Sequence, residues 1–261
     1  MESTRRRMPP WLWITLTAVV VAVVGAIGWF AFARPETPAP APSASPTTAA
    51  PVGSYRVAVG EGGTSTASDG TTPIGYEQTC EGAVAAATNY TTGIQNALFQ
   101  GQMTEDEFVA LLEELNGGID NGARTLDPAS PLAALVTEFA QMRADAEDID
   151  QAFDPEMQFH PEWGGFRVET CAAGAQATVD VVGYFDPYQA EGMVGGYGNF
   201  RTTVAWVGDD WRLIERAELD TDEVPEGALS PETAPVPAAE RRAWISTAGP
   251  GWTEYTNAPQ S

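Results

Sequence analysis

An uncharged, strongly apolar stretch at residues 11–33 constrains this chain more than any other feature. About 20 apolar residues, rising 1.5 Å each in a helix, are enough to cross the hydrocarbon core of a bilayer. Trp11 and Trp29 lie near its two ends, where indole rings favour the membrane interface. The arginines at 5–7 precede the stretch, and the positive-inside rule keeps them in the cytoplasm. We therefore predict a cytoplasmic N-terminus (1–10), a single transmembrane helix and an extracellular C-terminal domain.

A cleaved signal peptide is the alternative to an anchor. Ala31-Phe32-Ala33 resembles the small-residue site at which signal peptides are cut. The apolar stretch is, however, longer than the usual signal-peptide core of about 7–15 residues, which favours an uncleaved anchor at the cell membrane. In both interpretations the remainder of the chain leaves the cytoplasm.

The composition divides that remainder into a spacer, a globular region and a tail. Residues 34–75 are rich in Pro, Ala, Ser and Gly, which is typical of an extended linker. Residues 76–219 suit one globular domain, and residues 220–261 form an acidic, Pro-rich tail. Four apolar residues of the tail are expected to dock on the domain or on a partner: Trp244, Ile245, Trp252 and Tyr255.

The formal net charge of −23 limits the possible partners. Because so acidic a surface repels phosphate backbones, we do not expect nucleic-acid binding, and we interpret the excess acid as promoting solubility. All 13 basic residues are arginines, and this lysine-free, Ala- and Gly-rich composition is typical of a high-GC bacterium such as an actinobacterium.

Helical periodicity marks the first half of the globular region. Thr79 is a predicted N-cap of the first helix, and Thr104 with Glu107 forms a capping box for the second. Ser130-Pro131 is a cap followed by a first-turn proline and opens the third. Apolar residues three and four positions apart give each helix one buried face.

After Gly165 the apolar period changes to two, which indicates strands. Gly208-Asp209-Asp210 forms the turn of a terminal hairpin. Helices followed by antiparallel strands predict an α+β fold, with three helices packed on a curved, four-stranded sheet. The expected strands are 166–172, 175–185, 199–207 and 211–219.

This order of elements behind an N-terminal anchor resembles the cystatin-like cone domains of the nuclear transport factor 2 superfamily. The segments 74–90 and 210–213 are similar to motifs of an uncharacterised actinobacterial membrane-anchored family. The layout also resembles the membrane-anchored assembly factors of type IV secretion and conjugation systems. The likeness covers about residues 74–219, and it implies a domain that binds other machine components outside the membrane. Cys80 departs from the proline expected at the first helical position of the motif.

Cys80 and Cys171 are the two cysteines of the chain. Thiols outside the cytoplasm tend to oxidise, so we predict a disulfide, with two separate buried thiols as the alternative. Strict strand alternation argues against the bridge, because it places Cys171 on the polar side with Arg167 and Glu169. Two thiols and one histidine make a metal site improbable.

Other candidate sites lack the chemistry that they would need. His160, the sole histidine, has no neighbouring nucleophile and is interpreted as a turn residue. The Gly-rich segment 191–198 precedes a strand rather than a helix and is expected to be a flexible loop. The acidic residues of 145–156 lack calcium-loop spacing and are interpreted as a solvated helix end. We therefore assign no catalytic, cofactor-binding or metal-binding residue.

Three functions fit these features. The first is a noncatalytic extracytoplasmic scaffold or interaction protein in a membrane complex, such as a conjugation or type IV secretion-like apparatus. The second is a small-ligand binder or isomerase-like enzyme using the cone interior, which requires the Asp180 carboxylate to face a tyrosine, Tyr184 or Tyr90. The third is an accessory subunit of a lipid-import system.

Overall fold

The computed structural model describes residues 55–117, 130–148, 156–172, 174–186, 195–220, 223–225 and 235–261. The predicted N-terminus (1–10) and transmembrane helix (11–33) lie outside these residues. Among the helices that are described, none combines the length and the apolar character needed to cross a bilayer.

The described chain has an α+β fold, as predicted. Its helices are α1 (Cys80–Gln100), α2 (Glu105–Asn116), α3 (Ala133–Asp148) and α4 (Ala238–Thr247). A short hairpin, β1 (Ser65–Thr66) and β2 (Pro73–Ile74), precedes α1. The main sheet is antiparallel, in the order β6-β5-β4-β3-β7. Its strands are β3 (Phe159–Ala172), β4 (Gln176–Phe185), β5 (Gly196–Val207), β6 (Asp210–Glu218) and β7 (Trp252–Thr253).

Local capping sets the ends of the first two helices. The Thr79 hydroxyl accepts a hydrogen bond from the Gly82 N–H at 3.0 Å, and both halves of the Thr104–Glu107 capping box form. These contacts confirm the predicted N-caps. The third helix begins at Ala133, after a turn at Ser130–Leu132 whose Ser130 carbonyl accepts from the Ala133 N–H.

The main core lies on one side of the sheet, which we call the helix face. Alternate residues of β4, Val179 and Val181, point there and are fully buried with Tyr90 and Ile94 of α1. Full burial of each such side chain is worth about 1.5–3 kcal/mol. Aromatic rings fill this side at the far end of β4, in contacts of 4.7–5.5 Å between ring centroids: Phe99 with Phe185, Phe159 with Phe185, and Phe159 with Phe200.

The opposite side of the sheet, which we call the tail face, is covered by C-terminal residues. Val182 of β4 packs there in an apolar cluster with Trp244 and Trp252. Beyond β7 the chain passes to the helix face, where the Tyr255 ring packs on Phe166 and its hydroxyl lies 3.0 Å from the Thr88 hydroxyl. Residues 235–261 are thus an integral part of the fold, and the apolar residues of the tail (220–261) dock on the domain, the first of the two expected alternatives. The described end of the tail is therefore not a separate acidic segment. Burial of large aromatic rings outweighs the polar composition of the segment.

Residues 55–75 also belong to the folded domain, whereas composition predicts a linker for all of 34–75. The Val57 side chain is buried, and its carbonyl accepts a hydrogen bond from the Thr256 N–H at 2.8 Å. The Asn257 side-chain amide bonds both the N–H and the carbonyl of Val59. Glycine here serves tight packing rather than flexibility. Gly75 has a φ of 81°, and a Cβ atom at this position would come within 2.4 Å of Thr64 Oγ1.

Candidate functional site

Cys80 and Cys171 form a disulfide, as predicted, with their Cα atoms 6.0 Å apart. The bridge joins the first residue of α1 to the end of β3. It crosses from the helix layer to the sheet and closes a loop that contains α1, α2, α3 and most of β3. The bridge therefore anchors the N-terminus of α1 to the sheet.

A β-bulge explains why strand alternation argued wrongly against this bridge. Val168 pairs with Val179 and Thr170 pairs with Thr178, so Glu169 is an extra residue on the bulged strand. The insertion reverses the alternation that follows it. Cys171 therefore turns to the helix face, where it is buried next to the N-terminus of α1.

The Asp180 carboxylate is fully buried on the tail face and is held by two arginines. Arg167 donates to Oδ2 from Nε at 3.0 Å and from Nη2 at 2.7 Å. Arg201 donates from Nε to Oδ1 at 2.7 Å and from Nη2 to Oδ2 at 3.0 Å. These bonds raise the pKa of Arg201 above its usual value. A carboxylate that accepts four hydrogen bonds from guanidinium groups has little capacity left to accept a proton from a substrate.

The two tyrosines that were candidates to face Asp180 do not converge on it. Tyr184 shares the tail face, but it lies four residues along β4, about 13 Å away at 3.3 Å per residue. Tyr90 lies on the helix face, across the sheet, and its hydroxyl donates to the Trp211 carbonyl at 2.7 Å. Burial raises the pKa of Tyr90. Asp180 therefore faces neither of the two candidate tyrosines.

His160 lies within β3, paired with Tyr184 of β4, and is not the turn residue that the sequence indicated. Its Nδ1 is 2.9 Å from Glu162 Oε1, and its Nε2 is 3.1 Å from Asp186 Oδ2. The ring stacks on the Trp163 indole, with 4.3 Å between centroids and 17° between planes. Sequence periodicity missed this part of β3 because an irregularity in the pairing between His160 and Gly165 interrupts the alternation.

A groove of about 370 Å³ lies between the β1–β2 turn, α1 and the start of α2. Two amides of α1 are fixed in it: Asn96 Oδ1 accepts from the Phe159 N–H, and Gln100 Nε2 donates to the Met157 carbonyl. None of the described residues that line the groove carries a positive charge. The lining residues are Ser68, Asp69, Thr71, Gly93, Asn96, Ala97, Gln100, Gln102, Met103, Glu107 and Ala110.

Asp69 holds one wall of this groove in place. Its carboxylate accepts hydrogen bonds from the N–H groups and the hydroxyls of both Thr71 and Thr72, at 2.6–3.0 Å. Although burial opposes the effect, these four bonds lower the pKa of Asp69. Sequence reasoning missed the groove. The available signal was the i, i+4 spacing of Asn96 and Gln100, which puts two amides on one helix face.

The remaining candidate segments are only partly described. Of the Gly-rich segment 191–198, residues 195–198 are described, and β5 begins at Gly196, whereas 191–194 lie outside the described residues. Of the acidic segment 145–156, residues 145–148 end α3 and 149–155 lie outside. In the described part of the chain, no group of three or more His, Cys, Asp or Glu side chains is placed to hold a metal ion.

The comparisons with known proteins leave the family of this chain open. The resemblance to nuclear transport factor 2-like domains and to secretion-system assembly factors consequently stays a prediction. No protein-family model, no curated protein and no solved structure matches the chain.

Proposed function

We propose that this protein is a noncatalytic interaction protein, tethered by residues 11–33 so that its domain lies outside the cell membrane. The observation that carries this proposal is the Cys80–Cys171 disulfide, because such bridges persist in oxidising compartments and are rare in the cytosol. The arginines at 5–7, placed before an uncharged apolar stretch, support the same orientation.

The hydrogen bonds already made by the buried polar groups support a binding role rather than catalysis. Asp180 accepts four hydrogen bonds from two guanidinium groups, which also pair with Glu169 and Glu223. The Tyr90 hydroxyl is committed to a backbone carbonyl. Four hydrogen bonds occupy the lone pairs with which Asp180 could take a proton from a substrate, and the Tyr90 O–H is already donated to the backbone. Both groups instead tie the sheet to its surroundings, as expected of a rigid scaffold.

We propose the groove between the β1–β2 turn, α1 and α2 as the surface that contacts the partner. Its walls are fixed by the Asp69 hydrogen bonds and by the two pinned amides, so little side-chain entropy is lost when a partner binds. The carboxylates of Asp69 and Glu107, with no cation on the lining, favour a partner segment that is neutral or basic. Membership of a conjugation or type IV secretion-like apparatus rests on the sequence resemblance alone.

The orientation can be tested with single introduced cysteines, because the two native cysteines are bridged. We expect a membrane-impermeant maleimide to label Ser261→Cys in intact cells, and to label Ser3→Cys only after permeabilisation. The wild-type protein serves as the unlabelled control. The reverse labelling pattern, or full-length protein in the cytosolic fraction, would overturn the proposed orientation.

The interaction role can be tested by cross-linking the full-length chain in membranes. We expect a discrete cross-linked complex that Ala110→Arg, in the groove, abolishes. Ala140→Arg, at an exposed position of α3, is the matched control and should leave the complex intact. A wild-type chain that stays a free monomer contradicts the interaction role. A complex that survives Ala110→Arg contradicts only the proposal that the groove is the contact surface. Lipid-import components in the complex would favour the accessory-subunit alternative over a secretion apparatus.

A further inference from the structure

His160 is the sole histidine of the chain, and each of its ring nitrogens faces a carboxylate. Glu162 lies on the Nδ1 side at 2.9 Å and Asp186 on the Nε2 side at 3.1 Å. The ring is confined on one face by the Trp163 indole, and its side chain is 18% exposed. The imidazole is therefore held in one position by three neighbours.

This arrangement is satisfied by only one protonation state of the ring. A neutral imidazole carries a single N–H, so it can donate to one carboxylate while its other nitrogen directs a lone pair at the second. Turning the ring over does not help, because a carboxylate stands at both ends. The imidazolium has two N–H donors and a positive charge, which together match both acceptors.

We propose that His160, Glu162 and Asp186 form a proton-operated clasp, which fastens the end of β4 to the start of β3 while the imidazole is charged. Asp186 is the first residue after β4, and its N–H bonds to the Gln158 carbonyl at 3.1 Å. The shorter contact, from Nδ1 to Glu162, keeps the one N–H of the neutral ring, so Asp186 then faces a lone pair. The Asp186 side chain is released, and this backbone contact weakens. The clasp does not depend on the tether, so its test is separate from that of the proposed location.

The groups that surround the clasp favour the charged ring. Glu162 comes from β3 and Asp186 from the end of β4, and in the described residues neither carboxylate has another ion-pair partner. Tyr184 from β4 and Tyr255 from the C-terminal segment lie nearby, and burial raises the pKa of Tyr255, which keeps its hydroxyl neutral. Burial lowers the pKa of His160, but the hydrogen bonds and charges of the two carboxylates outweigh it and raise the pKa above the ordinary 6.5.

The direction of the pH dependence follows from that raised pKa. Because the folded state binds the proton more tightly than the unfolded chain, the stabilisation is complete below pH 6.5. It is lost as the pH rises through the folded-state pKa. The clasp is thus closed in mildly acid surroundings and opens at higher pH.

Because the chain has a single histidine, the titration of His160 can be measured directly. In the untagged full-length chain in detergent, selectively ¹⁵N-labelled histidine gives the signals of His160 alone. We expect two protonated nitrogens at pH 6.5, a pKa above 6.5, and a lower pKa in both Glu162→Gln and Asp186→Asn. A wild-type pKa at or below 6.5, or one that neither substitution changes, would refute the clasp.

Amide hydrogen exchange tests whether the strand end responds. After correction for the intrinsic effect of pH on exchange, protection of the Asp186 amide should fall as the pH rises through the His160 pKa. The amide of Thr178, at the other end of β4, should keep its protection and serves as the internal control. His160→Gln should remove the pH dependence at Asp186. The same pH dependence in that variant, or none in the wild type, would show that the ring does not control the strand end.

Discussion

Asp210 holds the segment before α1 against the β5–β6 hairpin, and its replacement by asparagine gives a sharp prediction. The side chain is 5% exposed, and its carboxylate accepts three main-chain hydrogen bonds. Oδ2 accepts from the Gly75 N–H, and Oδ1 accepts from the N–H groups of Tyr76 and Trp211, all at 2.8 Å. Asparagine keeps one carbonyl oxygen for Tyr76 and Trp211 but turns an NH₂ group towards the Gly75 N–H. One strong bond is lost and one donor is left unpaired.

The expected cost follows from those contacts. A lost hydrogen bond to a charged acceptor, together with an unsatisfied N–H, lowers the free energy of unfolding by about 2–3 kcal/mol. For a domain of this size the melting temperature should fall by about 4–12 °C. Urea and thermal unfolding, followed by circular dichroism, measure both quantities in the full-length chain.

The neighbouring residue provides a matched control for Asp210→Asn. Asp209 lies in the turn immediately before Asp210, but its side chain is 98% exposed. Asp209→Asn makes the same chemical change and should stay within about 0.5 kcal/mol of the wild type. If the free energies of unfolding of the two variants differ by less than about 0.5 kcal/mol, the three hydrogen bonds of the Asp210 carboxylate do not stabilise the domain as expected.

Three further predictions concern stability. Replacing Cys80 and Cys171 together by alanine should lower the free energy of unfolding by at most about 4–5 kcal/mol, because the bridge spans 91 residues. In urea unfolding, the reduced wild type should match the double variant. A double variant as stable as the oxidised wild type would contradict the entropic effect of the bridge. Tyr255→Phe removes the contact with the Thr88 hydroxyl and should lower the free energy of unfolding by about 1–2 kcal/mol, measured by thermal unfolding. An unchanged melting temperature would show that this buried pair does not stabilise the fold. Thr104→Ala deletes the α2 capping box and should cost about 1 kcal/mol by urea unfolding; a gain in stability would count against the cap.

Local signals predicted the first two helices well, whereas α4 was not predicted. Thr79 and Thr104 cap through contacts within three residues, and Gly117 ends α2 with a φ of 67°. Such features depend on neighbouring positions in the chain, so the sequence contains them directly. The cysteine pairing was also predictable, but from the redox chemistry of the compartment rather than from geometry.

Features that depend on distant partners were not predictable. The irregular start of β3 and the bulge at Glu169 follow from pairing with β4, and without them alternation assigns Cys171 to the wrong face. By composition, residues 55–75 resemble a linker. They belong to the domain because of contacts such as the hydrogen bond from the Gly75 N–H to Asp210, more than 130 positions away. The clasp around His160 likewise requires Asp186, which is 26 residues along the chain. Composition carries no information about such pairs.

The disulfide also decides how this domain responds to mechanical force. When tension acts between the two ends of the chain, the load reaches Cys80 and passes through the sulfur–sulfur bond to Cys171. The residues between them are enclosed in a covalent loop and cannot extend, which withholds roughly 300 Å of contour length at about 3.4 Å per residue. A stretched molecule in its oxidised form is therefore shorter by that amount than a reduced one. The helices α1, α2 and α3 stay out of the load path even after the sheet has been pulled apart.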